Sequence, residues 1–295
     1  MQVEGKHIPI RHLDKPFWPQ LGLTKGNLVD YYIEMAPFVL PHLRGRPLIM
    51  KPYPEGAGGR SFYRWALPDW APPWLHRWPY QASTEERTIE MLVVDGLPEL
   101  VWAAGQGCIE LHPWLSRTDD PAHPDLLLFD LDPGPGSDFA GCLAVANWLH
   151  QMLEPMGVHA YAKTSGRHGL HVLVPIARRY TFHQVRQWVR ATATSLAASH
   201  PDRITLDKSL AARRGRVLID YAQNGLGKSM VAPYSARATP QATVSAPLTW
   251  TEVAEARVRP EDFTLLTMPQ RARAMGDLLA PLSEGQSLPE RVPGS

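Results

Sequence analysis

Apolar residues follow two kinds of spacing along this chain, one typical of helices and one typical of strands. After Thr24, apolar side chains recur at Leu28, Tyr31, Tyr32 and Met35, which places them on one face of a helix. Threonine is favoured at a helix N-terminus, so Thr24 predicts where this helix begins. The same reasoning predicts three further helices: one capped by Ser137, one over residues 182–198, and one opened by a capping box of Thr249 and Glu252.

Short apolar runs bounded by turn-forming residues predict the strands. They lie at residues 48–51, 89–94, 100–112, 125–132, 158–163, 170–176 and 217–220. The segment 54–84, rich in Pro, Gly and Trp, is predicted to be irregular. Because helices and strands do not alternate one by one, their order predicts an α+β core with an antiparallel sheet rather than a doubly wound fold. We expect one domain over residues 1–282 and a polar tail over residues 283–295.

The composition is that of an ordinary soluble globular protein. The 295 residues are 44% hydrophobic and 20% charged, and no apolar run is long enough to span a bilayer. The N-terminus has no basic stretch followed by an apolar region, and Cys108 and Cys142 are too few for a disulfide framework. We therefore expect a cytoplasmic protein with no membrane partner.

The formal net charge is only +1, which limits how this chain could bind nucleic acid. A protein that coats DNA through its bulk charge is far more basic. Any contact with nucleic acid must therefore come from a local basic patch. Dinucleotide-binding and P-loop functions are discounted, because neither glycine-rich motif follows a predicted strand.

Asp130 and Asp132 end an apolar run and are two residues apart. Alternate residues of a strand point to the same face, so both carboxylates project together while Phe129 and Leu131 face the other way. Two close carboxylates repel each other unless a cation lies between them, and hard oxygen ligands suit Mg²⁺ or Mn²⁺. The alternative is a pair of exposed acids at a strand end, and the Asp-x-Asp pattern by itself does not separate the two.

Asp220 ends another buried apolar run, residues 217–220. On a neighbouring strand it would supply a third carboxylate. Three carboxylates could complete a two-metal site, which activates a 3′-hydroxyl and holds the leaving pyrophosphate. Taken alone, Asp220 is better explained as a strand-end cap or as a salt-bridge partner.

The segment 165–171, Ser-Gly-Arg-His-Gly-Leu-His, is a glycine-rich turn between two predicted strands. Backbone N–H groups exposed in such a turn can bind phosphate oxygens. Ser165 adds a hydroxyl, and Arg167, His168 and His171 add further donors. A simple hairpin turn would also explain the glycines, but not His171, which lies inside the following strand.

These three segments, in this order, resemble the three catalytic motifs of the ligase D polymerase family, a bacterial branch of the archaeo-eukaryotic primase superfamily. The first motif resembles residues 128–134, the second residues 164–171, and the third residues 219–224 continued by 232–237. Further stretches similar to the family are residues 13–15, 23–26, 43–47, 111–114 and 242–250. Any one of these motifs is weakly specific, but together and in order they are strongly specific.

The resemblance implies a primase-polymerase core, in which an RRM-like antiparallel catalytic sheet packs with an N-terminal α/β unit. It implies that the catalytic residues Asp130, Asp132 and Asp220 bind two Mn²⁺ or Mg²⁺ ions. It implies that an NTP or dNTP contacts Lys51, His112, Ser165, Gly166, His168, His171, Arg213, Gln223 and Arg237. It also implies DNA contacts, with Lys15 and Lys25 on a 5′-phosphate across a gap and Phe62 and Tyr63 stacked on the template.

The function implied by this resemblance is template-dependent addition of nucleotides, with ribonucleotides preferred, at DNA gaps or ends that carry a 5′-phosphate. Ku and a DNA ligase are the implied candidate partners, in the bacterial cytoplasm and at the nucleoid during repair. Two other functions stay open. One is a non-catalytic module that binds DNA ends, which would not need three acids on strand ends. The other is a metal-dependent phosphoesterase that uses the same acids and histidines.

His168 departs from the family pattern, because the second motif often has a lysine at this position. Histidine is mostly neutral at pH 7, so a permanent positive charge at the triphosphate is missing. Arg167 is adjacent, but we expect its side chain to point the opposite way.

Overall fold

The computed structural model describes residues 1–81 and 88–290. The strands are β1 (Gln2–Val3), β2 (Lys6–His7), β3 (Pro16–Trp18), β4 (Leu23–Thr24), β5 (Pro47–Pro52), β6 (Arg77–Gln81), β7 (Thr88–Val93), β8 (Cys108–Pro113), β9 (Leu126–Pro133), β10 (Tyr161–Thr164), β11 (Leu170–Pro175), β12 (Ile204–Thr205), β13 (Val217–Ile219) and β14 (Pro247–Leu248). The helices are α1 (Lys25–Leu43), α2 (Leu97–Gly105), α3 (Phe139–Leu153), α4 (Phe182–Ser199), α5 (Trp250–Glu255) and α6 (Met268–Met275). None of these helices is long and apolar enough to cross a membrane.

The chain divides into two compact units. Unit 1 consists of Met1–Asp119, Ser229–Ser245 and Phe263–Gly276. Unit 2 consists of Asp120–Lys228, Ala246–Asp262 and Asp277–Ser295.

Helix α1 of unit 1 begins where the sequence predicts. The Thr24 side chain accepts a hydrogen bond from the backbone N–H of Asn27, and the Asn27 side chain accepts one from the backbone N–H of Thr24. This capping box satisfies two backbone donors that the first turn leaves without helical partners. The helix ends at Leu43, and Gly45 follows with a φ of 67°, a conformation that favours glycine.

Unit 1 contains a four-stranded antiparallel sheet in the order β6-β7-β5-β8. The register of β5 and β8 places Lys51 opposite Glu110. Strand β6 lies within residues 54–84, so the prediction of an irregular segment is wrong for residues 77–81. Residues 82–84 of that segment lie outside the described residues.

The predicted strand over residues 100–112 is wrong in its first half. Residues Leu97–Gly105 form helix α2, and the strand is only Cys108–Pro113. Residues 100–104 are all fully buried, so this stretch of the helix has no polar face to reveal its period. A short, uniformly apolar run has the same appearance in a buried helix and in a buried strand.

Unit 2 is built on a six-stranded sheet in the order β12-β13-β9-β11-β10-β14. All neighbouring strands run antiparallel except β12 and β13, which confirms the predicted α+β class. Helices α3 and α4 pack against β9. Phe129 and Leu131 of β9 are fully buried, and the Phe129 ring meets Trp188 of α4 edge to face. The carboxylates between these apolar residues are thereby directed to the other side of the sheet.

Helix α3 begins one residue later than predicted. Asp138, rather than Ser137, is the N-terminal cap, and its Oδ1 accepts a hydrogen bond from the backbone N–H of Gly141 at 3.0 Å. Aspartate and serine are about equally favoured as caps, so two adjacent candidates cannot be ranked from the sequence.

Part of the predicted tail is bonded to unit 2. The backbone N–H of Gln286 donates to the carbonyl of Pro175, and the indole N–H of Trp188 donates to the carbonyl of Pro289. Residues 291–295 lie outside the described residues, and the boundary at residue 282 stays a prediction.

Candidate active site

Three predicted carboxylates meet where strands β9 and β13 end. Asp130 and Asp132 lie two residues apart on β9, and Asp132 pairs in register with Leu218 of β13. Asp220 directly follows β13, and its backbone N–H donates to the carbonyl of Asp130 at 2.9 Å. The sheet register thus gathers Asp130, Asp132 and Asp220, hereafter the carboxylate group.

The charges of the carboxylate group act on one another. Burial raises the pKa of Asp132 to about 6, and the charges of Asp130 and Asp220 raise this pKa as well. The positive charges of Arg213 and Lys208 oppose the increase. Protonation of Asp132 or binding of a cation would relieve the repulsion, so this carboxyl favours one or the other near neutral pH.

Asp220 is held by three hydrogen bonds. Its Oδ2 accepts from the Lys208 ammonium at 2.8 Å and from the Gln223 amide at 3.3 Å. Its Oδ1 accepts from the backbone N–H of Ala222 at 3.0 Å. Gln223, one of the predicted nucleotide contacts, therefore lies against the carboxylate group.

The side chains of the carboxylate group have the oxygen atoms that a divalent cation requires. Within residues 1–81 and 88–290, no group of three or more His, Cys, Asp or Glu side chains is arranged to hold a metal ion. Asp130 and Asp132 offer the hard oxygen atoms that Mg²⁺ and Mn²⁺ prefer, and a cation would relieve their repulsion. Asp220 has the same chemistry, but its Oδ2 is paired with Lys208. The donor set fits a cation bound by Asp130 and Asp132, with Asp220 able to join once Lys208 releases it.

Ser165 closes the glycine-rich turn between β10 and β11. Its hydroxyl oxygen accepts hydrogen bonds from the backbone N–H groups of Gly169 at 3.1 Å and Arg167 at 3.3 Å. Because the oxygen already accepts two bonds, the remaining capacity of the hydroxyl is to donate its own hydrogen. Gly166 has a φ of 73°, which the turn requires and which favours glycine.

The turn lies directly against strand β9. A Cβ atom at Gly169 would clash with the carbonyl of Leu131 and would lie 3.1 Å from Oδ1 of Asp132. Only glycine allows this approach, which sets the second motif beside the first. His168 lies at the tip of the turn and is exposed.

His171 connects the carboxylate group to a buried lysine. Nζ of Lys163 lies 2.9 Å from Nδ1 of His171, and Nε2 of His171 lies 3.4 Å from Oδ1 of Asp130. Lys163 is fully buried. With Lys163 as an ammonium, which can only donate, Nδ1 of His171 accepts, and the ring hydrogen sits on Nε2, which faces Asp130. The lysine thereby fixes the orientation and the tautomer of His171.

Three more of the predicted nucleotide contacts surround a buried glutamate in unit 1. Lys51, His112 and Arg237, hereafter the unit 1 basic cluster, each place a nitrogen near Oε2 of Glu110. The distances from Oε2 are 3.6 Å to Nζ of Lys51, 3.1 Å to Nε2 of His112 and 3.6 Å to Nη1 of Arg237. Burial lowers the pKa of His112, and the charge of Arg237 lowers it further, which favours the neutral ring.

The two predicted stacking residues have different neighbours. The Tyr63 ring lies 5.6 Å from the His112 ring and 5.0 Å from Nζ of Lys51. The Phe62 ring lies 5.2 Å from the Arg64 guanidinium. Phe62 is 46% exposed and Tyr63 56% exposed, so both rings retain open surface for a base. Tyr63 therefore borders the unit 1 basic cluster, whereas Phe62 lies against Arg64.

Lys15 and Lys25 lie together at the start of helix α1. The backbone N–H of Lys25 donates to the carbonyl of Lys15 at 2.9 Å. Nζ of Lys15 bonds to Oε2 of Glu55 at 2.9 Å, and Nζ of Lys25 donates to the carbonyl of Arg11 at 2.9 Å. Burial lowers the pKa of Lys25, and the charge of Lys15 lowers it further. Two ammonium groups that repel each other at a helix N-terminus favour a bound anion.

A family model described as the primase-polymerase domain of LigD matches residues 24–279. The chain belongs to the LigD primase-polymerase domain family. Members of this family are DNA-directed nucleotidyltransferases. The family predicted from the three motifs is therefore confirmed, and so is the enzyme class of its members.

Two curated LigD relatives match over nearly the whole chain. The multifunctional non-homologous end joining protein LigD of Mycolicibacterium smegmatis is 30% identical over 289 residues, which are 97% of this chain and 37% of the relative. The bifunctional non-homologous end joining protein LigD of Bacillus subtilis is 30% identical over 266 residues, which are 90% of this chain and 42% of the relative. The chain thus spans less than half the length of these LigD proteins.

A solved LigD structure confirms the fold. The polymerase domain from Mycobacterium tuberculosis ligase D, in complex with DNA, superposes with a TM-score of 0.88 at 30% sequence identity. The match covers 95% of this chain and 99% of that chain. The predicted primase-polymerase core is therefore confirmed.

The residues predicted from the LigD motifs fall into three groups. Unit 2 brings His171, Arg213 and Gln223 close to the carboxylate group, with Arg213 also donating to the carbonyl of Pro133 at 3.3 Å. The turn that carries Ser165, Gly166 and His168 approaches Asp132 through Gly169. Unit 1 brings Lys51, His112 and Arg237 together around Glu110. Lys15 and Lys25 form a separate pair. The functional roles of all these residues stay predictions.

Sequence reasoning missed three charged residues that organise these groups. Glu110 precedes His112 by two positions on a predicted strand, so it shares a face with His112, and that spacing could have revealed it. Lys163 is a charged residue inside an apolar strand, which is also a usable signal. Lys208 gives no such signal, because it reaches Asp220 from a loop twelve positions earlier.

Proposed function

We propose that this chain is a template-dependent polymerase that transfers nucleotides from an NTP or dNTP to a 3′-hydroxyl at DNA gaps or ends. The observation that carries the proposal is the carboxylate group on β9 and β13, beside a glycine-rich turn, in a member of the LigD family. Extension of a primer in a gapped duplex, with release of pyrophosphate, tests it.

The carboxylate group would hold the metal. Asp130 and Asp132 would supply the first oxygen ligands, and Asp220, which is paired with Lys208, would add a third carboxylate once that pair is broken. A bound pair of divalent cations would activate the attacking 3′-hydroxyl and stabilise the leaving pyrophosphate. Whether Mn²⁺ or Mg²⁺ serves better stays a prediction.

Residues beside the carboxylate group would bind the triphosphate. The Ser165 hydroxyl is a donor of the turn, and Arg213 supplies a permanent positive charge next to Asp132. These are the groups that bind phosphate oxygens in proteins. His171, held by Lys163, keeps its Nε2–H directed toward Asp130.

The pathway is proposed from the relatives. Both curated relatives are named as non-homologous end joining proteins, and the solved neighbour is a polymerase domain in complex with DNA. We therefore place this chain in the repair of broken DNA. Ku and a DNA ligase stay predicted partners.

Lys15 and Lys25 are proposed to bind a 5′-phosphate across the gap. We expect a gapped duplex with a downstream 5′-phosphate to bind about tenfold more tightly at low salt than the same duplex with a 5′-hydroxyl, the effect of roughly one charge-assisted hydrogen bond. The difference should shrink as salt rises, because the contact releases counterions. Fluorescence anisotropy of labelled duplexes measures it.

Three variants sharpen this test. Lys15→Ala combined with Lys25→Ala should erase the difference between the two duplexes, whereas Lys6→Ala, another exposed lysine of unit 1, should preserve it. Glu55→Gln should increase the difference, because Glu55 competes for the Lys15 ammonium. Equal affinities of the wild-type protein for both duplexes at low salt would contradict the assignment.

A preference for ribonucleotides is proposed from the state of His112. The ionised Glu110 carboxylate can only accept, so Nε2 of His112 carries the hydrogen and Nδ1 is the acceptor. An acceptor at this position can bind a 2′-hydroxyl. We expect GTP to be added opposite cytosine with a kcat/KM roughly fivefold above that of dGTP, which corresponds to about 1 kcal/mol for one hydrogen bond. Equal kcat/KM values would remove the proposal.

His168→Lys is expected to improve nucleotide binding. His168 lies at the exposed tip of the turn, where a lysine would add a permanent charge beside the proposed triphosphate site. We expect the KM for GTP to fall by roughly two- to fivefold, the effect of about 1 kcal/mol or less of partly screened attraction. His159→Lys adds the same charge at an exposed position of unit 2 and should leave KM unchanged. An unchanged or raised KM in His168→Lys would show that residue 168 does not face the triphosphate.

A further inference from the structure

Glu110 is a fully buried carboxylate on strand β8. A buried charge is unfavourable unless partners of opposite charge or hydrogen-bond donors surround it. Glu110 and His112 are alternate residues of the strand, so their side chains lie on the same face. Lys51 lies opposite Glu110 in the register of β5 and β8. The sheet of unit 1 therefore places the Glu110 carboxylate in the middle of the unit 1 basic cluster.

The two oxygens of Glu110 have different partners. Oε2 faces all three members of the unit 1 basic cluster, at 3.1 to 3.6 Å. Oε1 accepts a hydrogen bond from the Tyr53 hydroxyl at 2.8 Å and one from the backbone N–H of Ala238 at 3.4 Å. The bonds to Oε1 prevent rotation of the carboxylate, and Oε2 is consequently held at a fixed point among the nitrogens.

The charge of Glu110 keeps the unit 1 basic cluster together. Burial lowers the pKa of His112 most, and the charges of Arg237 and Lys51 lower it further, whereas a hydrogen bond with Glu110 and the charge of Glu110 raise it. For Lys51, burial lowers the pKa, but a hydrogen bond with Tyr53 and the charge of Glu110 outweigh burial and raise it. Without the anion, two permanent positive charges would face each other beside a buried imidazole.

We infer that Glu110 is a positioning residue for nucleotide binding: it fixes the spacing of the unit 1 basic cluster and makes Nδ1 the acceptor atom of His112. This inference rests on the proposed function, because it assumes that the cluster contacts a nucleotide. Glu110 itself touches no nucleotide and acts through the three members of the unit 1 basic cluster. Glu110 therefore acts on the affinity for the nucleotide and not on the chemistry at the carboxylate group.

Glu110→Gln tests the inference. The amide keeps the size of the side chain but removes the charge, and its NH₂ group can donate to Nε2 of His112, which moves the ring hydrogen to Nδ1. We expect the Kd for GTP, measured by calorimetry with Mn²⁺, to rise by about 10- to 100-fold, by analogy with the loss of an outer hydrogen-bond partner of a metal-ligating side chain. The affinity ratio of GTP to dGTP should fall toward one. KM should rise more than kcat falls.

Two further variants keep the test decisive. Glu90→Gln neutralises an exposed glutamate of unit 1 that pairs with Arg77, and it should leave both Kd values unchanged. Tyr53→Phe removes the bond to Oε1 and the hydrogen bond with Lys51 but keeps the charge of Glu110, and it should raise the Kd for GTP by a smaller factor than Glu110→Gln. If circular dichroism shows that Glu110→Gln does not fold, the Kd of Tyr53→Phe for GTP decides whether the inference holds.

The outcomes separate this inference from the proposed function. Wild-type protein that binds GTP, together with Glu110→Gln or Tyr53→Phe protein of unchanged Kd and sugar preference, overturns the role of Glu110 and leaves the proposed function standing. Wild-type protein that binds neither GTP nor dGTP overturns both. A raised Kd and a lost sugar preference in Glu110→Gln, with wild-type values in Glu90→Gln, support the role.

Discussion

Asp132→Asn should abolish nucleotide addition and, in the presence of a chelator, stabilise the fold at pH 8. Loss of a carboxylate ligand should lower the rate by about 100-fold or more, because bound metal supplies several kcal/mol of transition-state stabilisation. The increase in stability follows from the same site, since burial and the charge of Asp130 raise the pKa of Asp132 to about 6. Primer extension and chemical denaturation measure the two effects.

The pH dependence of this stability has a definite sign. The folded protein holds the Asp132 proton more tightly than the unfolded chain, whose carboxyl pKa is near 3.8. The stabilisation from this group is fully present below pH 3.8 and is lost as the pH rises through about 6. Asp132→Asn should therefore gain up to about 3 kcal/mol at pH 8 relative to wild type, and almost nothing at pH 3.5.

A control variant separates this effect from a general loss of charge. Asp202→Asn neutralises an exposed carboxylate of unit 2 and should change neither the rate nor the stability. Asp130→Ala and Asp132→Ala should likewise lose activity and remain folded. Primer extension by Asp132→Asn near the wild-type rate would contradict the catalytic role of Asp132. An equal loss of stability at pH 8 and pH 3.5 would contradict the electrostatic explanation of its effect on stability.

Lys163→Met should lower the rate of nucleotide addition by about 10- to 100-fold, the range known when a hydrogen-bond partner that orients a metal-ligating histidine is lost. The Lys163 ammonium donates to Nδ1 of His171 and keeps the ring hydrogen on Nε2, which faces Asp130. Methionine fills similar space but has no donor. Single-turnover primer extension measures the rate, and nitrogen chemical shifts of the His171 ring report its tautomer.

Lys228→Met serves as the control for this variant. Lys228 is an exposed lysine of unit 2, so its loss removes a charge without touching His171. A folded Lys163→Met protein with the wild-type rate would show that His171 needs no lysine for its position. A changed tautomer with an unchanged rate would show that the orientation of His171 does not limit nucleotide addition.

The local features of the fold could be predicted from the sequence. The capping box at Thr24 and the alternation around Asp130 and Asp132 depend on neighbours a few positions away, so both appear in the sequence and in the structure. The second half of the strand predicted over residues 100–112 was also right, because it too depends on neighbours a few positions away. Its first half was wrong because residues 100–104 of helix α2 are all fully buried and show no helical period.

The contacts between distant residues could not be predicted in the same way. The motifs placed three acids on strand ends, but spacing along the chain did not show that Lys208 bonds to Asp220. The register of β5 and β8, which sets Lys51 opposite Glu110, depends on pairing between segments about sixty positions apart. Such partners follow from the three-dimensional arrangement of the strands rather than from any local pattern.

Extension of a labelled primer across a one-nucleotide gap tests the central claim most directly. With a downstream 5′-phosphate, Mn²⁺ and each of the four NTPs or dNTPs in turn, we expect the wild-type protein to lengthen the primer by the nucleotide complementary to the template and to release pyrophosphate. Asp132→Asn should leave the primer unchanged. Binding of the duplex without any extension would support a DNA-end binding module, and shortening of the primer or release of inorganic phosphate would support a phosphoesterase. Either result would contradict the proposal that this chain is a polymerase.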